Sequence, residues 1–244
     1  MDNILYAIVV HDIKIINYFE KIKKYNFLEN YKYLLVGNHD VDYTNEYIIQ
    51  CNKLKDNIEN NNYYLAFTGW YALAKNIKLI PEKFEHIFLL EYDMTLDKEE
   101  TSKTIHNLLP NEYEIYGLST MSIEECLHPS IFSNLLISFL KQQKIKEIKC
   151  NNKVCIATNN ILVSKNFLIN LFDNKLTLDF LNFLKNDKMS GHNLERYIST
   201  YCFLNNIKYE FLDSKGFGHG SLDSHNTQNK HQEYLNYLNI INTN

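Results

Sequence analysis

Residues 4–10 form an unbroken apolar run that stops at His11-Asp12, and residues 33–36 form a second that stops at Gly37-Asn38-His39-Asp40. Short, uniformly apolar runs closed by polar or glycine residues predict strands buried on both faces. Between them, Ile15, Ile16, Phe19 and Ile22 recur at helical spacing within residues 13–24. That order predicts strand, helix, strand, with the two strands parallel. After a polar, Asn-rich stretch over 52–62, residues 63–76 read as a helix and 85–90 as a strand running into Glu91-Tyr92-Asp93.

The alternation continues through a strand at 113–118, a helix at 130–143 and strand material over 154–163, interrupted by Thr158-Asn159-Asn160. Residues 166–172 and 176–184 read as helices. The segment 191–205 is the clearest amphipathic helix, with Leu194, Tyr197, Ile198, Tyr201, Cys202 and Leu204 on its apolar side. A short strand at 208–212, a Gly- and His-bearing loop at 215–229 and a terminal helix carrying Tyr234, Leu235, Leu238 and Ile241 complete the pattern. No internal repeat or linker interrupts it, so the expectation is one α/β domain over residues 1–244.

Composition narrows the function classes. With 45% hydrophobic residues in 244, the chain can bury a large core without staples. Its five cysteines are odd in number and form no CxxC pair, which argues against a disulfide framework or a structural zinc site. They predict reduced thiols and a cytoplasmic protein. No run approaches the roughly 20 apolar positions of a membrane span, and the N-terminus lacks a basic leader. A net charge of -4 with scattered lysines leaves no footprint for nucleic acid. Abundant Asn, Ile, Lys, Tyr and Phe indicate an AT-rich genome, such as that of a parasite or a large DNA virus.

Chemistry concentrates at a few places. Glu91 and Asp93 follow an apolar strand at i and i+2, where strand geometry puts both carboxylates on one face and lets them meet one cation. The segment YYLAFTGWYALAKN (63–76) clusters aromatic residues around Gly69 and ends in Lys75-Asn76. It suits either an aromatic core helix or a helix passing beside a nucleotide, with Lys75 near phosphate. On the helix at 191–205, His192 and Glu195 are spaced i, i+3 and share a face, as a general base and its partner would. The plainer alternative is that Glu195 pairs with a cation and His192 caps the helix. The loop Gly216-Phe217-Gly218-His219-Gly220 offers close backbone approach and an imidazole, with His225 and His231 beyond it.

Gly37-Asn38-His39-Asp40 spells GNHD, a signature of binuclear metallophosphoesterases, but the D-x-H and GDxxD that belong before it are missing, as is a late GHxH. Neither a P-loop nor GxGxxG occurs. Three stretches, YYLAFTGWYALAKN, IFLLEYDMTL and GHNLERYISTYCFLNN, resemble in their order the GT-A glycosyltransferases, in particular small ones of giant DNA viruses and capsular-polysaccharide transferases of bacteria. The resemblance implies a GT-A fold, a Rossmann-like α/β/α sandwich with a mixed, mainly parallel sheet.

What else the resemblance implies is a metal-dependent transferase of hexosyl type. It would move a sugar from a nucleotide-sugar, with a UDP-sugar expected, to a hydroxyl of a glycan or glycoprotein acceptor. Val10 and His11 would line the nucleoside pocket, and Asn38 and Asp40 would hold base or ribose. Lys75 would approach the diphosphate, Glu91 and Tyr92 would sit beside the donor, and Asp93, Glu91 and His219 would hold Mn²⁺ or Mg²⁺. Glu195, with His192, would act as base in an inverting reaction. Position 91 departs from the family's DxD pattern in being Glu, which makes Asp93 the safer ligand, and His225 rivals His219. An inert GT-A-like module that binds glycan or a partner protein is the alternative.

Overall fold

The computed structural model describes residues 3–37, 45–58, 65–106, 113–146, 148–150, 152–157, 160–185 and 187–218. In chain order the elements are β1 (Ile4–Val10), α1 (Ile13–Ile22), β2 (Tyr31–Leu35), β3 (Ile48–Gln50), α2 (Leu65–Lys75), β4 (His86–Glu91), β5 (Thr95–Leu96), α3 (Lys98–His106), β6 (Ile115–Gly117), β7 (Thr120–Ser122), α4 (Ile123–Leu127), α5 (Asn134–Gln142), β8 (Val154–Ile156), β9 (Ile161–Ser164), α6 (Lys165–Asp173), α7 (Lys175–Phe183), α8 (Lys188–Leu204), β10 (Glu210–Phe211) and β11 (Phe217–Gly218). Seven strands make one sheet in the order β10-β6-β9-β4-β1-β2-β3. β9 runs antiparallel to both neighbours, and the other adjacent pairs are parallel.

The two-residue strand period divides the core between the two faces of this sheet. Leu5, Ala7 and Val9 of β1, with Ile87 and Leu89 of β4, pack on the side of α2, α5, α6, α7 and α8. Tyr6, Ile8 and Val10, with Phe88 and Leu90, pack on the side of α1 and α3, around Ile15, Ile16, Phe19 and Ile105. Helices on both faces of a mainly parallel sheet make the protein an α/β sandwich of Rossmann-like type. Among the described residues no helix is long and apolar enough to cross a membrane. All five cysteines are free thiols, with Cys51, Cys126, Cys155 and Cys202 buried.

Several elements differ from the sequence expectation for identifiable reasons. β3 escapes the hydrophobic pattern because its three residues sit half-buried at the sheet edge and gain their structure from pairing with β2. The apolar stretch at 154–163 is two strands: β8 joins a ribbon with β7, and β9 enters the main sheet between β4 and β6. α4 owes its start to a capping box in which Ser122 and Glu125 satisfy each other's backbone N–H groups. α8 begins earlier than expected, at Lys188, because Asp187 caps it by accepting from Ser190 N–H at 3.0 Å. The expected terminal helix lies outside the described residues.

Candidate functional site

β1 is followed by β2 and β3 on one side, while β4 pairs on its other side, so the connection reverses direction between β1 and β4. Such a switch point opens a crevice at the carboxyl ends of the two strands. Three segments converge there. His11 and Asp12 follow β1, and Asp12 caps α1 by accepting from Lys14 N–H at 2.8 Å. Val36 N–H donates to Val10 O at 2.9 Å, holding the end of the second segment beside the first. The next residue, Gly37, has φ 104, a left-handed conformation that glycine adopts without strain. The third segment is the turn after β4.

In that turn Met94 N–H donates to Glu91 O at 3.1 Å. The exposed His11 ring meets Tyr92 edge-on at 4.8 Å between centroids, so two residues singled out from distant parts of the sequence form one aromatic corner. Val10 is fully buried beneath α1, with its carbonyl engaged by Val36. Its place is the floor of the crevice rather than its lining. Asn38 and Asp40 lie outside the described residues.

Asp93 lies in that turn, beyond the end of the strand. The expectation of one shared face assumed that the strand continues, whereas it ends at Glu91. By strand period Glu91 follows Ile87 and Leu89, and its N–H is held by the side-chain oxygen of buried Asn160 at 2.7 Å. Asp93 instead lies where its carboxylate bears on Tyr25 from the α1 side. Burial, and then that carboxylate, push the Tyr25 hydroxyl well above its ordinary range. Tyr25 donates to Met94 O at 3.3 Å, and Lys24 Nζ donates to Tyr92 O at 3.2 Å while lying 4.1 Å over the Phe19 ring. Lys24 thus steadies the turn, a role that the sequence does not signal, since the contact spans 68 positions.

β5 leaves this turn and pairs antiparallel with β11, matching Leu96 to Phe217 and Thr95 to Gly218. Gly218, the last described residue, therefore heads back along the chain that leads to Asp93. His219 and His225 lie outside the described residues. Among the described residues no three His, Cys, Asp or Glu side chains gather to hold a metal ion. The described donors alone do not make a metal centre, and a complete one at Asp93 would need ligands from beyond them.

Lys75 is not at this edge. A helix joining two parallel strands runs antiparallel to them, so α2 begins near the carboxyl ends and finishes near the start of β4. Lys75, in its last turn, is paired with Asp173 at 2.6 Å. The aromatic residues of this helix are core: Phe67 and Trp70 are buried, and Gly69 sits where a Cβ would lie 3.0 Å from Val9 and 3.4 Å from Leu34. Gly69 brings the helix close to the sheet rather than to a ligand.

On α8, His192 Nδ1 and Glu195 Oε2 are 3.4 Å apart, both partly exposed. Arg196 Nη1 lies 3.7 Å from Glu195 and donates to His192 O at 2.9 Å. The Phe132 ring stands edge-on to His192 at 5.1 Å and takes the Arg196 guanidinium over its face. His192 is inside the helix and does not cap it, whereas Glu195 does have the neighbouring cation of the plainer reading. Compared with known protein families and with curated proteins, the chain matches none of them.

Proposed function

We propose that this protein is a nucleotide-sugar-dependent glycosyltransferase of GT-A type, working at the β1–β4 edge. The observation that carries the proposal is the β5–β11 ribbon. It ties the turn bearing Asp93 to the segment that ends one residue before His219, at the switch point where an α/β sheet binds ligands. The His11–Tyr92 corner offers an aromatic surface for a base over the buried Val10. Asp93, with His219, is the candidate holder of Mn²⁺ or Mg²⁺, an ion that would neutralise the departing diphosphate of a UDP-sugar. Glu195, oriented by His192, is the candidate base toward a glycan or glycoprotein hydroxyl, and inversion would follow from direct displacement. Lys75 has no part in this reading.

The test is thermal stabilisation by UDP in the presence and absence of Mn²⁺. Ligand at about a hundredfold its Kd contributes roughly 2.7 kcal/mol, on the order of 5–10 °C for a chain of this size. Asp93→Ala should lose the Mn²⁺-dependent part, while Lys75→Ala, at the opposite edge, should keep it. Stabilisation of Asp93→Ala equal to wild type would remove Asp93 from the site. A catalytically inert binder of glycan or partner protein is the second reading. It is favoured by Arg196, whose approach to 3.7 Å gives Glu195 a structural occupation.

A further inference from the structure

Away from the β1–β4 edge, the end of α4, α5 and the segment after it border an open concavity of about 510 Å³. Its wall is aliphatic: Leu127, Ile137, Leu140, Ile145 and Ile148. Its edge is basic, formed by Lys141, Lys144 and Lys146, all exposed. The volume falls within the roughly 300–1,000 Å³ typical of small-molecule sites, which are likewise mainly apolar with a few polar groups that fix orientation.

The shape is built by the helix end. α5 closes with Lys144 N–H donating to Lys141 O and Ile145 N–H to Leu140 O, each at 3.0 Å. This is a Schellman arrangement, which folds Ile145 back over Leu140 and so makes one wall. Its left-handed position favours glycine, yet it is held by Lys144 at φ 58, which sets a cation at the mouth. The segment KQQKIKEIK carries four lysines and one glutamate in a chain of net charge -4, so the charge here opposes that of the whole molecule. Among the described residues no carboxylate pairs with Lys141, Lys144 or Lys146. Glu147 lies outside them.

We infer that this concavity binds a single-chain anionic amphiphile, its hydrocarbon chain against the aliphatic wall and its phosphate or carboxylate head at the three lysines. The charge complementarity selects an anion, and the recessed wall selects a chain that can enter. A membrane surface would call for apolar side chains that protrude, and a partner helix for a long groove with anchors at i, i+3, i+4 and i+7.

Isothermal titration of the whole chain with dodecyl phosphate, kept below its micellar concentration, tests it. Saturable single-site binding is expected, with dodecanol and inorganic phosphate each weaker by at least about tenfold. Replacing the exposed lysines together (Lys141→Gln, Lys144→Gln, Lys146→Gln) should weaken dodecyl phosphate by a similar factor, and Ile137→Trp should block the chain by filling the wall. Should Ile137→Trp fail to fold, dodecanol and the lysine variant still decide the matter. Wild-type affinity in the lysine variant, inorganic phosphate binding as tightly as dodecyl phosphate, or binding confined to anionic vesicles or to an acidic amphipathic peptide would each overturn the assignment.

Discussion

Glu195 sits between two neighbours that assign it different work. His192, one turn earlier at 3.4 Å, forms with it the pair expected of a general base, whereas Arg196 at 3.7 Å makes it one end of an ion pair. Glu195→Gln keeps the shape and removes the capacity to take a proton. In a sugar-transfer assay the variant should lose about 10²- to 10⁴-fold in turnover with donor affinity unchanged. Its melting temperature should hardly move, because partly exposed ion pairs contribute roughly 0–1 kcal/mol. Turnover within a few-fold of wild type, together with a small loss of stability, would leave Glu195 as Arg196's partner only.

The ribbon of β5 and β11 depends on Gly216, and there the constraint is space. A Cβ at 216 would lie 2.6 Å from Thr101 N and 2.8 Å from the Glu100 carbonyl carbon. Gly216 O also accepts from Asp97 N–H at 2.8 Å and from Thr101 Oγ1 at 3.2 Å, fastening the start of α3. Gly216→Ala must therefore push β11 away from α3, at an overpacking cost of about 1–3 kcal/mol. Thermal denaturation should show that loss, and the Mn²⁺-dependent gain from UDP should shrink with it. A variant that melts lower yet keeps the full gain would separate the ribbon from the site. The same scale bears on the aromatic residues of α2: Phe67 and Trp70 are buried and Phe67 meets Phe172 of α6 at 6.2 Å, so both serve packing.

Across the whole molecule, tyrosines are the titrating groups that burial affects most consistently. Tyr6 is pushed up to about 12, by burial and then Glu29. Tyr31 and Tyr201 also reach about 12, burial first and then Glu20 or Cys202, while Tyr25, Tyr33, Tyr197 and Tyr209 are raised further. In the unfolded chain tyrosine ionises near its ordinary value of about 10. A raised pKa in the fold means that these groups stabilise it fully below that pH and lose the contribution as pH rises from about 10 toward 12. The melting temperature should therefore fall across that window. Tyrosinate absorbance of the native protein should rise at a higher pH than that of the chain unfolded in guanidinium. Coincident titration curves would show that these hydroxyls are not shielded.

The class of the fold is legible in the residues alone, because strands buried on both faces must be continuously apolar, as 4–10 and 87–90 are, and helices between them must repeat near every third or fourth position. It also placed His11, Tyr92 and Asp93 just beyond strand ends, since polar residues stop such runs. Which of these residues meet depends on strand order. The pairing of β4 beside β1 joins His11 to Tyr92 over a separation in sequence that no local pattern encodes. A turn closed by Met94 N–H on Glu91 O ends the strand before Asp93, so the two-residue strand period does not extend to its carboxylate. The direction of α2 carries Lys75 to the far edge of the sheet, since a helix that returns the chain between parallel strands must begin at one edge and end at the other.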